Sequence, residues 1–197
     1  MVWVVGDATI NGSETGTSFK QALFFMECGF NLHDTMIYEK RNPIPLTHNR
    51  YEQCFEYMFV FSKGKPKTFN PLMVKTSSAG AYNGRRNTAK SKDAATRNRD
   101  EVSRVKEEKQ ATNIFKYVCG RQAGTGDHPA PFPEQLAKDH IITWSNKKDL
   151  VYDCFTGAGT TLKMAISIDR NYIGSEISEE YCKIIKTRIK NAEPELF

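Results

Sequence analysis

The chain has 197 residues, 39% hydrophobic and 26% charged, with 28 Lys and Arg against 23 Asp and Glu, for a net charge of +5. That length holds one good-sized domain, or one domain with a large insertion. No run of 18 apolar residues occurs, so no membrane-spanning helix is expected, and no basic region precedes the apolar start, so no secretory signal is expected. The five cysteines are odd in number, widely spread and free of any Cys-x-x-Cys. That pattern argues for reduced thiols in a cytoplasmic protein and against a disulfide framework or a metal site. The charge is unevenly placed: residues 1–64 carry −2, residues 65–109 carry +7 and residues 110–197 carry 0. Such asymmetry points to a polyanionic partner.

In chain order, Met1-Val2-Trp3-Val4-Val5-Gly6-Asp7 predicts a strand buried on both faces, as in a parallel sheet. A central strand rarely opens a fold uncovered, so the chain reads as the later part of something longer. Ser18 is placed to cap a helix running to about Cys28, with Phe19, Ala22, Leu23 and Met26 on one face, and Gly29 ends it. Leu32 to Glu39 and Cys54 to Ser62 predict two further strands. Residues 65–112 change in kind: Ser, Thr, Asn, Gly, Lys and Arg dominate. Arg85, Arg86, Lys90, Lys92, Arg97 and Arg99 fall within 15 residues, beside Tyr82 and Asn83. Basic groups neutralise phosphates, and Asn and Arg can read base edges; a solvated basic loop has the same composition.

His128-Pro129-Ala130-Pro131-Phe132-Pro133 leads into a helix expected from about Glu134 to His140, with His140 on the surface. His128 has no partner ligand at short spacing, so no metal is expected there. Next comes a strand, a glycine turn and a helix: Asp149 to Tyr152, then Asp153-Cys154-Phe155-Thr156-Gly157-Ala158-Gly159-Thr160-Thr161, then Leu162 onward. Asp153 falls at the carboxyl end of the strand, where open α/β sheets bind ligands. Gly157 and Gly159 allow a tight turn against a ligand. A second strand, Asn171 to Ile177, carries Glu176 near its end, about 20 residues past the glycines, where an acid can accept both hydroxyls of a ribose. An ordinary βαβ turn shares the Gly-x-Gly, but the added acid describes a nucleoside cofactor. Ser178 caps a last helix, Glu179 to about Asn191, with Tyr181, Ile184, Ile185 and Ile189 buried and Lys183, Lys186, Arg188 and Lys190 solvated.

Asp153-x-Phe155-x-Gly157-x-Gly159-Thr160-Thr161, followed by Asn171-Tyr172-Ile173-Gly174 with Glu176 and then Glu180-Tyr181, resembles the amino-group DNA methyltransferases, which act on adenine N6 or cytosine N4. The family has Pro where this chain has Cys154. The resemblance extends to Gly6-Asp7, Lys40, the run Glu56 to Gly64 and the stretch His128 to Pro133. It implies an α/β fold, a Rossmann-like S-adenosylmethionine-dependent methyltransferase sheet incomplete at the N-terminus, with a basic recognition insertion. Residues 1–64 would form the far edge of the sheet, 65–112 the target-recognition insertion and 113–197 the cofactor-binding part. His128, Pro129, Phe132 and Pro133 would close over S-adenosylmethionine. Asp153, Phe155, Gly157, Gly159 and Thr160 would form its loop and Glu176 would hold its ribose. Asn83, Arg85, Arg86, Lys90, Lys92, Arg97 and Arg99 would meet double-stranded DNA.

The family's catalytic tetrapeptide, Asp/Asn/Ser-Pro-Pro-Tyr/Phe/Trp, occurs nowhere in the 197 residues, so no catalytic residue is assigned. In the permuted branch that this motif order resembles, the tetrapeptide precedes the Gly-Asp strand. The implied enzyme transfers a methyl group to a flipped base, adenine N6 ahead of cytosine N4. The implied chain is truncated or split, with a partner chain supplying the rest. The rival reading is a non-catalytic DNA-binding remnant.

Overall fold

The computed structural model describes residues 1–43, 45, 49–80, 105–120 and 132–192. They fall into two compact units, one of Met1–Asn70 with Thr112–Phe197 and one of Pro71–Ala111.

The larger unit opens with β1 (Val2–Val5), the short hairpin β2 (Thr9–Ile10) and β3 (Ser13–Glu14), α1 (Thr17–Glu27), β4 (Asn31–Lys40) and β5 (Phe55–Ser62). The smaller unit contains β6 (Met73–Lys75) paired antiparallel with β7 (Glu108–Gln110). The larger unit resumes with β8 (Ile114–Tyr117), α2 (Glu134–Trp144), β9 (Leu150–Asp153), α3 (Thr160–Ser167), β10 (Asn171–Gly174) and α4 (Glu179–Lys190).

Four strands form one sheet in the order β1-β5-β4-β8. Strand β5 reads Phe-Glu-Tyr-Met-Phe-Val-Phe-Ser, apolar on both faces because helices cover both. Met58 and Val60 join Leu136 of α2 on one side, and Phe59 and Phe61 join Ala22 of α1 on the other. Strand β1 departs from its expectation. It pairs antiparallel with β5, is half-buried and forms the edge of the sheet among the described residues. An apolar run reports that neighbours exist, and not on which side they lie.

Helix α1 starts one residue before Ser18, at Thr17, with Gly16 as N-cap in the left-handed region at φ 61°. Ser18 is fully buried and donates its hydroxyl to Asp7 Oδ2, while its backbone N–H donates to Asp7 Oδ1 at 3.0 Å. The cap is therefore the carboxylate at the end of β1, which the Ser18 hydroxyl holds below the usual carboxylate range. The expected apolar face of α1 also divides: Ala22 is buried, and Phe19, Leu23 and Met26 are exposed. Helix α2 runs a full turn past the expected His140, to Trp144.

A second sheet pairs β9 and β10 in parallel, with Tyr152 beside Ile173 and Asp153 beside Gly174. Helix α3 packs on one face, where Val151 meets Ala137, Ile141, Met164, Ala165 and Ile168. Leu150, Tyr152 and Ile173 are exposed on the other face. Parallel strands are usually covered on both sides, so this face and the outer edge of β9 stand open among the described residues.

Candidate cofactor site

Strand β9 delivers Asp153 to its carboxyl end, where the chain turns sharply. Asp153 Oδ1 accepts the N–H of Phe155 at 3.0 Å, and its backbone carbonyl accepts the Thr156 hydroxyl at 3.1 Å and the Ser175 N–H at 2.9 Å. An Asx turn of this kind needs a short acidic or amide side chain at the first position. Gly157 (φ 52°) and Gly159 (φ 83°) take left-handed backbone that a side chain would strain. Gly159 is also the N-cap of α3, and a Cβ there would lie 3.2 Å from Ile185 Cγ1. Gly174 is tighter still, since a Cβ would collide with the Thr156 hydroxyl and lie 2.8 Å from Leu162 Cδ2. These glycines let the loop, β10, α3 and α4 close on one another.

Strand β10 stops at Gly174, short of the expected Ile177, and Glu176 joins this turn from the segment just past it. One carboxylate oxygen accepts the Gly157 N–H at 2.8 Å and the other accepts the Ser178 N–H at 2.8 Å. The acid is thereby fixed against the glycine loop. Ser178 caps α4 by accepting the Tyr181 N–H at 3.3 Å. Phe155 is 73% exposed beside the loop, with its ring 6.0 Å from that of Trp3 on β1. Strand β1 and the glycine turn thus lie beside each other. Phe132 packs against both main apolar clusters, and Pro133 is buried as the N-cap of α2.

Of the sequence-derived cofactor residues, the fold brings together Asp153, Phe155, Gly157, Gly159, Thr160 and Glu176 around one turn. Phe132 and Pro133 lie at the start of α2. His128 and Pro129 lie outside the described residues, as do Asn83, Arg85, Arg86, Lys90, Lys92, Arg97 and Arg99. Among the described residues no group of three or more His, Cys, Asp or Glu gathers as for a metal, and no helix is long and apolar enough to cross a membrane.

Two residues read from sequence as surface groups are not. His140 is buried, with Nε2 3.1 Å from Met58 Sδ, and burial pushes its pKa down to about 4. Arg188 was placed on the solvated face of α4, yet its side chain is only 5% exposed. Its guanidinium donates to the Ala158 carbonyl at 2.6 Å and to Glu134 Oε1 at 2.7 Å. Lys163 adds contacts to both Glu134 oxygens at 2.8 and 3.0 Å. The node links the glycine loop, α3, α4 and the first residue of α2. Its signal was spacing: Arg188 follows buried Ile185 by three residues, on the same helix face.

A parallel strand pair with a glycine turn, bonded to an acid just past the second strand, has the layout of a Rossmann-like nucleotide-binding turn. The chain belongs to the N6/N4 family of DNA methylases, whose family pattern matches residues 1–187. It is 51% identical to the orphan methyltransferase M.BamHII of Bacillus amyloliquefaciens over 199 residues, spanning 97% of this chain and 74% of that protein. It is 32% identical to the type II methyltransferase M.MjaI of Methanocaldococcus jannaschii over 142 residues, 68% of this chain and 38% of that protein. Among solved structures, the fold resembles the cytosine-N4-specific PvuII DNA methyltransferase, with a TM-score of 0.69 at 19% identity over 95% of this chain and 62% of that one. It also resembles M1.HpyAVI in complex with S-adenosylmethionine, with a TM-score of 0.62 at 23% identity over 95% of this chain and 74% of that one.

Proposed function

We propose that the chain binds S-adenosylmethionine and serves the methylation of an exocyclic amino group in double-stranded DNA, with adenine N6 the first base to assay and cytosine N4 the second. The observation that carries this reading is the Glu176 carboxylate held at 2.8 Å to the Gly157 N–H. That contact sets an acid against a loop whose glycines leave its backbone open to a ligand. In this role Glu176 accepts the two ribose hydroxyls. Asp153 holds the turn in shape, Gly157, Gly159 and Thr160 line it, and Phe155 offers an aromatic surface to an adenine ring. His128, Pro129, Phe132 and Pro133 cover the methionine end. When bound, the cofactor supplies an electrophilic methyl group on a sulfonium.

A base amine is a poor nucleophile because its lone pair is delocalised into the ring. Localising it takes acceptors for both amino hydrogens, and no Pro-Pro-Tyr-type tetrapeptide occurs in this sequence to present them. The reading therefore includes a further segment, in the same polypeptide or another, that carries those acceptors. Asn83, Arg85, Arg86, Lys90, Lys92, Arg97 and Arg99 contact DNA in this scheme, with phosphates as the main partners.

The test is calorimetry of the full chain with S-adenosylhomocysteine. Losing a hydrogen bond to a charged group costs about 1.5–3 kcal/mol, so Glu176→Ala should weaken binding roughly ten- to hundred-fold. Equal affinities for the variant and the native chain would rule out this placement of the ribose.

A further inference from the structure

The packing of α2 on α3 is apolar: Ala137 and Ile141 meet Met164, Ala165 and Ile168. A charged cluster nonetheless ties both helices to α4. The Arg188 side chain of α4 is 5% exposed, Glu134 of α2 is 24% exposed and Lys163 of α3 is 30% exposed. A buried ion pair adds little net stability over an apolar contact of the same volume. What it adds here is position, because a planar guanidinium taken out of water tolerates few arrangements. Arg188 uses the two arms of its fork for separate tasks. Nη1 donates to the Ala158 carbonyl at 2.6 Å and to the Thr160 hydroxyl at 3.3 Å. Nη2 donates to Glu134 Oε1 at 2.7 Å. Ala158 stands between the two glycines of the turn, so its carbonyl sets the plane of the peptide joining Ala158 to Gly159. On either side of it, Glu176 accepts the Gly157 N–H, and the Thr156 carbonyl accepts the Gly159 N–H at 2.9 Å.

Glu134 carries that position back along the chain. It is the first residue of α2, and Lys163 donates to both of its oxygens, at 2.8 and 3.0 Å. Pro133 before it is buried, at φ −60°, and Phe132 packs against both main apolar clusters. A proline fixes its own φ and restricts the residue before it, so Phe132-Pro133-Glu134 is a stiff link. The place of Glu134 therefore decides the places of Phe132 and Pro133. We infer that Arg188 and Glu134 are positioning residues. Through one ion pair they hold the glycine turn, which takes the nucleoside end of the cofactor, in register with Phe132 and Pro133, which cover its methionine end. This rests on the reading of the turn as an S-adenosylmethionine site, and neither residue touches the ligand.

Calorimetry of the full chain with two ligands tests the inference, with adenosine read by competition. S-adenosylhomocysteine spans both ends of the site, and adenosine reaches only the turn. Glu134→Gln keeps the size of the side chain and removes its charge, while Arg188 keeps its hold on Ala158 and Thr160. This variant should bind S-adenosylhomocysteine about tenfold more weakly than the native chain. It should bind adenosine as the native chain does, which also shows that it is folded. Arg188→Lys lacks the fork that serves both acceptors, so it should weaken both ligands. Adding Glu134→Gln to Arg188→Lys should weaken S-adenosylhomocysteine no further, because the link is already broken. Equal weakening of the two ligands by Glu134→Gln would make the pair a structural staple and overturn the inference. So would native affinities for both ligands in that variant, or additive losses in the double variant. A native chain that binds S-adenosylhomocysteine and not adenosine would overturn it too, since the turn would not hold the nucleoside by itself. A native chain that binds neither ligand would remove the cofactor reading, and this inference with it.

Discussion

His140 lies on a helix whose neighbours Lys138 and Asp139 are polar, and its own chemistry suits the surface. In the fold it is wedged between Phe115, whose ring is 5.8 Å away, and Met58, which is 82 residues distant in sequence. Neither partner stabilises a charged imidazole, and burial lowers its pKa to about 4. The unfolded chain binds a proton near the ordinary value of about 6.5, so protonation favours unfolding. The contribution of neutral His140 is present in full above that pH and is lost as the pH falls toward 4. The loss between pH 6.5 and pH 5 should be about 2 kcal/mol, at 1.36 kcal/mol per pH unit. Denaturant unfolding at several pH values checks it: His140→Gln should flatten this part of the profile, and a slope unchanged in the variant would refute the assignment. Arg188 shows the opposite case, a buried charge whose two terminal nitrogens both meet acceptors. The Ala158 carbonyl and the Glu134 carboxylate stand at 2.6 and 2.7 Å, so removing the guanidinium leaves a half-buried carboxylate with Lys163 as its remaining contact.

At the scale of elements, the strand-turn-helix of β9, the glycine loop and α3 follows from local sequence. Asp153 starts the turn, two glycines accept positive φ, and apolar Leu162, Met164 and Ala165 bury one side of the helix. Helix α4 was legible from its Ser178 cap and its Ile185 stripe. Helix α1 was legible in extent but not in facing, because which of its apolar residues are covered depends on Trp3, Tyr57 and Phe61 from other strands. The second unit, Pro71–Ala111, is held by the β6–β7 ladder of Met73–Lys75 with Glu108–Gln110. Its sequence carries most of the excess positive charge. Deleting residues 83–99 should remove most binding to duplex DNA. Binding by the intact chain should weaken with salt at about 0.9 log units per log unit for each phosphate neutralised. Titrations of a labelled duplex at several salt concentrations measure both, and a slope near zero would return this segment to the status of a solvated loop.

At the scale of the whole larger unit, the described strands form two sheets besides the β2–β3 hairpin, and β1 and β9 each lie at an edge. The Phe155 and Trp3 rings, 6.0 Å apart, bring these borders to one region. Unpaired edges and a bare apolar face on β9 and β10 are surfaces for another strand to join. The relative M.BamHII is longer than the matched region, which covers 74% of its length. A polypeptide made from the part of that relative outside the match should dock at β1 and restore methyl transfer to duplex DNA, with little transfer by the 197-residue chain alone. Transfer of labelled methyl groups, with and without the added polypeptide, decides this. Robust transfer by the chain alone would mean that its acceptors for the amino group lie elsewhere in these residues.

The sequence by itself determined the glycine turn, the acid that follows it, the helix cap at Ser178, and the order of the four helices and of β1, β4, β5, β9 and β10, while β2, β3, β6, β7 and β8 were not legible in it. These depend on residues within a few positions of one another, where backbone preference and side-chain spacing act directly. Tertiary structure alone decided that Asp7 caps α1, that β1 runs antiparallel to β5 at an edge, and that His140 and Arg188 are buried. Each of those outcomes rests on a partner many residues away. Local pattern records that a polar group or apolar run needs a partner, and only the folded chain supplies one.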